Sequence, residues 1–151
     1  EILGKSTSPF MPSYLNLKNH VEKESMLNTP PVFSVFTAML NLRNLIANGG
    51  VSAAEAKNIA KAELLYNEID SNPLFTGAVA IEDRSLMNAT FLLNNEALKE
   101  EFDKMWNDAG VVGIKGHRSV GGYRTSMYNA LTIDSVKVLV DTMNEFTRTK
   151  G

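Results

Sequence analysis

The sequence predicts an α/β protein, folded as a two-layer α/β sandwich. Apolar residues recur at helical spacing in four segments, shorter apolar runs lie between those segments, and two of the runs follow one another closely enough to form a hairpin. A chain of 151 residues, 44% of them hydrophobic, can bury the core of one ordinary domain.

Taken in order, residues 1–29 carry little regular periodicity, and Pro9 and Pro12 break any helix there, so this stretch reads as a connecting arm. The compact domain then runs over residues 30–151. Phe33, Phe36, Leu40 and Leu45 mark a long helix after Pro30-Pro31, and Asn48-Gly49-Gly50 provides the left-handed stop that ends it. Ser52-Ala53-Ala54-Glu55 has the spacing of a capping box for a second helix, whose stripe is Ile59, Leu64, Leu65 and Ile69 and which ends before Asp70-Ser71-Asn72-Pro73. The two helices are expected to form a hairpin across the glycine pair.

Ala78-Val79-Ala80-Ile81 reads as a strand, Glu82-Asp83-Arg84 as a turn, and Met87, Ala89, Phe91 and Leu93 as the inner face of a second, antiparallel strand. Asn94-Asn95 can cap a third helix with Leu98, Phe102, Met105 and Trp106 inward, ended by Gly110. Val111-Val112-Gly113-Ile114 is a short apolar strand, residues 116–122 a glycine-punctuated loop and residues 123–128 a further strand. Ile133, Val136, Leu139, Val140, Met143 and Phe146 mark the last helix.

Composition excludes several classes of function. The formal charge of −2 gives no overall basic field for nucleic acid or anionic membranes. With no cysteine, and only His20 and His117 as imidazoles, no metal site is expected. No apolar run approaches the roughly 20 residues that cross a bilayer, and no signal peptide opens the chain, so a cytoplasmic protein is expected.

The most informative segment is Lys115-Gly116-His117-Arg118-Ser119-Val120-Gly121-Gly122-Tyr123-Arg124-Thr125-Ser126. Its glycines let backbone approach a ligand, and Arg118 and Arg124 each offer a planar fork for a carboxylate or a phosphate. The same pattern also describes a surface hairpin with solvated arginines. In Asn28-Thr29-Pro30-Pro31, Thr29 is a natural N-cap, and the helix end beyond it is a place where a phosphate can sit; most such caps only finish a helix. Gly4-Lys5-Ser6 lacks the upstream glycine of a phosphate-binding loop. His20 reads as exposed, Trp106 as core, and Glu100, Glu101, Asp103 and Lys104 as an ordinary charged helix face.

Together, Asn28-Thr29-Pro30-Pro31, Arg84-Ser85-Leu86-Met87-Asn88 and the segment from Gly116 to Ala130 resemble the phosphoserine aminotransferases in order and spacing. The resemblance runs from the arm to the end of the chain. The chain departs from it at Tyr123, where relatives commonly carry Met or Ile, and at Thr125, where they carry Ala. The resemblance implies the C-terminal portion, including the small domain, of a type I pyridoxal-phosphate-dependent transferase fold, with residues 1–29 as the tail of the large domain. It implies a cytoplasmic, homodimeric enzyme of serine biosynthesis that exchanges an amino group between glutamate and 3-phosphohydroxypyruvate, giving 2-oxoglutarate and O-phosphoserine.

The same resemblance implies that Asn28 and Thr29 reach the cofactor phosphate of the neighbouring subunit, that His117 and Arg118 hold the substrate phosphate, and that Arg124 holds the α-carboxylate. The Schiff-base lysine, the acidic partner of the pyridine nitrogen and the ring platform lie upstream of this chain in relatives, so the chain by itself is expected neither to hold pyridoxal 5'-phosphate covalently nor to transaminate. Two other readings stay open: a freestanding phosphoanion-binding module, and an aminotransferase of the same fold with another amino acid substrate. Exposed apolar surface is expected where a large domain would pack.

Overall fold

The structure is a computed structural model and describes residues 10–119 and 121–150. Gly4-Lys5-Ser6, Pro9 and Val120 lie outside the described residues. The chain divides into two compact units, Glu1–Ile46 and Ala47–Gly151.

In the first unit a 3₁₀ turn, Ser13–Leu15, leads into a short helix, α1, Leu17–Glu22. Periodicity does not reveal this helix; its signal is Asn16, whose side chain accepts the Lys18 N–H at 3.0 Å. His20 is not simply exposed, since its Nε2 lies 2.6 Å from the Tyr14 carbonyl oxygen and its ring meets the Tyr14 ring edge-on. Helix α2, Val32–Ala47, forms over the predicted apolar repeat, yet none of its residues is buried and Phe33 is 81% exposed. It begins later than the N-cap reading of Thr29 requires. A residue before proline is pushed away from helical dihedrals, so Thr29 and Pro30 stay outside the helix and Val35 N–H bonds to the Pro31 carbonyl at 3.1 Å.

The second unit runs α3 (Gly50–Ser71), β1 (Phe75–Gly77), β2 (Asn88–Leu93), α4 (Lys99–Asp108), β3 (Tyr123–Ser126) and α5 (Ile133–Lys150). The strands form one antiparallel sheet in the order β1-β2-β3, with Phe75 opposite Leu93 and Phe91 opposite Tyr123. On the inner face of the sheet, Phe75 packs against Phe102 of α4, and Phe102 against Phe146 of α5, each pair with ring centroids 5.0 Å apart. Helix α3 packs on α5 and on the β1–β2 side. This is the α/β sandwich that the sequence predicts. Among the described residues no helix is long and apolar enough to cross a membrane.

Several boundaries differ from expectation, each for a local reason. Helix α3 starts at Gly50, after Gly49 at φ 94°, so Ser52 lies inside the first turn and not at an N-cap. Its buried face is Asn58, Lys61, Ala62, Leu65, Glu68 and Ile69, turned away from Ile59. The first strand comes earlier than Ala78-Ile81: the chain leaves the sheet after Ala78 N–H bonds to the Thr90 carbonyl, and Ile81–Asp83 forms a 3₁₀ turn with Ile81 75% exposed. Arg84 anchors that turn to α3 through two bonds of 2.7 Å to Asp70. No strand forms over 111–114, because Gly113 (φ 75°) turns the chain and only Ile114 and Lys115 reach the edge of β3. Asn95 alone acts as a cap, accepting the Ala97 N–H of a 3₁₀ turn, Glu96–Leu98, that feeds α4. Asn94 instead ties to β1, its side-chain oxygen accepting the Thr76 hydroxyl at 2.7 Å.

Candidate functional site

The 116–122 loop joins the edge of the sheet to β3 and is closed by its own backbone. Gly116 N–H donates to the Gly122 carbonyl at 2.9 Å, and Gly121 N–H to the His117 carbonyl at 2.8 Å. The closure needs glycine: a Cβ on Gly116 would overlap the Gly121 carbonyl oxygen, and one on Gly122, which has φ 64°, would stand 2.8 Å from the Phe91 carbonyl oxygen.

This loop turns His117, Arg118 and Ser119 outward, all three exposed. The Ser119 N–H points to His117 Nδ1 at 3.3 Å. The Ser119 hydroxyl lies 2.6 Å from the same nitrogen, so Ser119 holds the ring by its Nδ1 side. Arg124 follows on β3. Strand alternation turns Tyr123 into the core and Arg124 to the opposite, exposed face, across from Thr90. Among the described residues, neither the Arg118 nor the Arg124 guanidinium takes part in an ion pair or hydrogen bond. The structure thus gathers His117, Arg118 and Arg124 on one loop and strand of the second unit. Asn28 and Thr29 are exposed and belong to the first unit.

Two polar side chains that hold the structure around these residues were not legible in the sequence. Asp103 is not part of a merely solvated face. Its side chain is 16% exposed, and it accepts the Tyr123 hydroxyl at 2.9 Å, the Trp106 indole N–H at 3.2 Å and the Lys99 ammonium at 3.0 Å, with Lys115 pairing at 3.3 Å. Burial pushes the Asp103 carboxyl up, but these four donors outweigh it and hold the group below the usual carboxylate range. Tyr123 moves the other way, raised first by burial and then by its bond to Asp103. The available signal was the i, i+4 pair Lys99–Asp103 on the helix face that also carries Trp106.

Lys61 is the second. At 2% exposure it is the one buried lysine among the described residues, and burial lowers its pKa from the ordinary lysine value. Its ammonium donates to the carbonyls of Met127 (3.0 Å), Tyr128 (2.8 Å) and Leu131 (3.1 Å). Three N–H groups meet three acceptors, so this amine is committed to holding the segment after β3 and is not presented to a ligand.

Several known proteins are similar to this chain. Phosphoserine aminotransferase of Flavobacterium psychrophilum is 59% identical over 145 residues, covering 96% of this chain and 40% of that protein. The enzyme of the same name from Parabacteroides distasonis is 49% identical over 148 residues, covering 97% of this chain and 41% of that protein. Phosphoserine aminotransferase from Bacillus circulans subsp. alkalophilus superposes with a TM-score of 0.83 at 38% identity, over 97% of this chain and 41% of that one. The PLP-bound phosphoserine aminotransferase from Trichomonas vaginalis gives 0.76 at 33% identity, over 92% of this chain and 40% of that one. The chain spans about 40% of the length of the curated relatives it matches. The aminotransferase class-V profile covers residues 7–139, which takes in α1 to α4, the whole sheet, the 116–122 loop and the start of α5, and on that match the chain belongs to the aminotransferase class-V family.

Proposed function

We propose that this chain is the substrate-reading C-terminal part of a phosphoserine aminotransferase, transferring an amino group between glutamate and 3-phosphohydroxypyruvate in serine biosynthesis. The observation that carries the reading is the 116–122 loop, which presents His117 and Arg118, and Arg124 just beyond it, as exposed donors with no guanidinium tied into an internal ion pair among the described residues. A doubly anionic amino acid needs two such anchors. His117 and Arg118 take the phosphate, and Arg124 takes the α-carboxylate, each charge-assisted bond contributing roughly 1.5–3 kcal/mol.

Pyridoxal 5'-phosphate supplies the electron sink for amino-group exchange when bound. Within this chain the Asn28 amide and Thr29 hydroxyl fit its phosphate: both are exposed donors, free of hydrogen bonds among the described residues. Lys61, with its ammonium already triply bonded, does not fit as the amine that carries the cofactor. The whole protein is read as a cytoplasmic homodimer, with residues 1–29 as the interdomain arm, residues 30–151 as the small domain, and Asn28, Thr29, His117 and Arg118 acting across the subunit boundary. Such a reading agrees with the exposed apolar face of α2.

The test uses the complete polypeptide that contains this chain. O-phosphoserine and 2-oxoglutarate should be turned over, Arg118→Ala should penalise phosphate-bearing substrates far more than substrates without phosphate, and Arg124→Ala should penalise both. Equal losses for both substrate types in Arg118→Ala would remove the phosphate role. The 151-residue chain alone should exchange no amino groups.

A further inference from the structure

One carboxylate grips both stems of the anion loop. Lys115 immediately precedes Gly116, Tyr123 immediately follows Gly122, and Asp103 of α4 reaches both: the Tyr123 hydroxyl donates to Oδ1 at 2.9 Å and the Lys115 ammonium stands 3.3 Å from Oδ2. The carboxylate is itself fixed by the Trp106 indole and by Lys99. Lys99 also donates to the Tyr123 oxygen at 3.4 Å and sits 4.9 Å from the centre of its ring, which stacks on Phe91 and meets Phe102 edge-on, both with centroids 5.2 Å apart. The loop's own closures are two backbone bonds, Gly116 to Gly122 and Gly121 to His117, and glycine is the residue with the most backbone freedom to lose. The stems, tied to α4 by side-chain bonds, therefore add to this closure in holding Arg118 and Arg124 in place.

We infer that Asp103 is a positioning residue for the phosphate subsite, acting through Tyr123 and Lys115 to fix the 116–122 loop against α4. The inference rests on reading that loop as the substrate-phosphate site. Asp103 touches no substrate: it sits behind the sheet edge, largely buried, while the anchoring groups face outward. Loss of its grip leaves every ligand-contacting side chain in place and widens the range of positions they sample, which weakens binding of a two-point ligand before it slows chemistry.

The test measures steady-state kinetics of the complete enzyme with O-phosphoserine. Asp103→Asn, nearly isosteric, should raise KM for O-phosphoserine roughly tenfold with kcat within about twofold, and Tyr123→Phe, which keeps the Phe91 stack, should raise it by roughly threefold. In the double variant the two effects should be less than additive in free energy, because both break one contact. Unchanged KM in both single variants, or a fall in kcat with KM constant, overturns the inference. If Asp103→Asn does not fold, Tyr123→Phe alone decides. Wild-type enzyme that does not turn over O-phosphoserine overturns the functional reading and this inference together, whereas active wild type, an impaired Arg118→Ala and unimpaired Asp103→Asn and Tyr123→Phe overturn this inference alone.

Discussion

Lys61 on α3 donates its ammonium to the carbonyl oxygen of Tyr128 at 2.8 Å, across 67 residues of sequence. With Met127 and Leu131 as its other acceptors, it holds the chain where β3 ends at Ser126 and bends toward α5. Removing the amine takes one donor from each of three carbonyls of this bend; that of Tyr128 keeps the Leu131 N–H at 2.9 Å. Lys61→Met, which fills the same space, should lower stability by about 3 kcal/mol in urea unfolding and speed amide exchange over residues 127–131. A loss under about 0.5 kcal/mol would mean that desolvating the charge cancels its bonds.

Gly116→Ala tests the loop closure. The added methyl would overlap a backbone oxygen, that of Gly121, so a rotamer change cannot relieve it and the Gly116–Gly122 bond must open. The expected cost is about 1–3 kcal/mol, with the affinity of the complete enzyme for O-phosphoserine falling in parallel. Wild-type affinity in a folded Gly116→Ala protein would show that the closure is not what shapes the site.

Much of the second unit was legible because its core is made of periodic apolar residues. Phe102 and Trp106 on α4, and Val136, Leu139, Val140, Met143 and Phe146 on α5, are all buried as their spacing requires. The exposure of His117, Arg118 and Arg124 agrees with the glycine and arginine pattern that marks them as candidates. Long-range polar bonds were not: a lysine at position 61 or an aspartate at 103 reads as solvated face until the carbonyls of 127–131, or the hydroxyl of Tyr123, are brought to it by the fold. The stripe Phe33, Phe36 and Leu40 announces an apolar face without naming what covers it. For β1, periodicity picked Ala78-Ile81, but the Arg84–Asp70 anchor decides where the chain leaves the sheet.

The pH dependence of the Asp103–Tyr123 contact has a definite sign. Tyr123 is raised above the ordinary phenol value of about 10, so its contribution to stability is complete below pH 10 and is lost as pH rises above it. Asp103 is depressed, so its contribution is present above the ordinary carboxylate value of about 3.9 and is lost as pH falls through its lower folded value. Alkaline titration followed by phenolate absorbance should show that Tyr123→Phe removes one late-ionising phenol, while that of Tyr66, also raised by burial, remains. Stability should then fall less steeply above pH 10 in the variant than in wild type. Equal slopes would place the Tyr123 hydroxyl in contact with solvent.

Arg84 offers a charge-conserving test of the turn that ends β1. Its fork meets both oxygens of Asp70 at 2.7 Å, its guanidinium carbon lies 4.6 Å above the Tyr66 ring, and the Tyr66 hydroxyl donates to the Ser85 carbonyl at 3.1 Å. The bond to Arg84 holds the Asp70 carboxyl below its usual range. Arg84→Lys keeps the charge but loses the second parallel bond and the planar stack. Because Asp70 is 44% exposed, solvent screens the pair, and the loss should be near 1 kcal/mol and not the several expected of a buried pair. Asp70→Asn should cost a similar amount, and a double-mutant cycle should return a coupling of about 1 kcal/mol. Coupling within about 0.3 kcal/mol of zero would mean that Arg84 holds the turn through its stack on Tyr66, and the pairing with Asp70 would then not be what ends the strand.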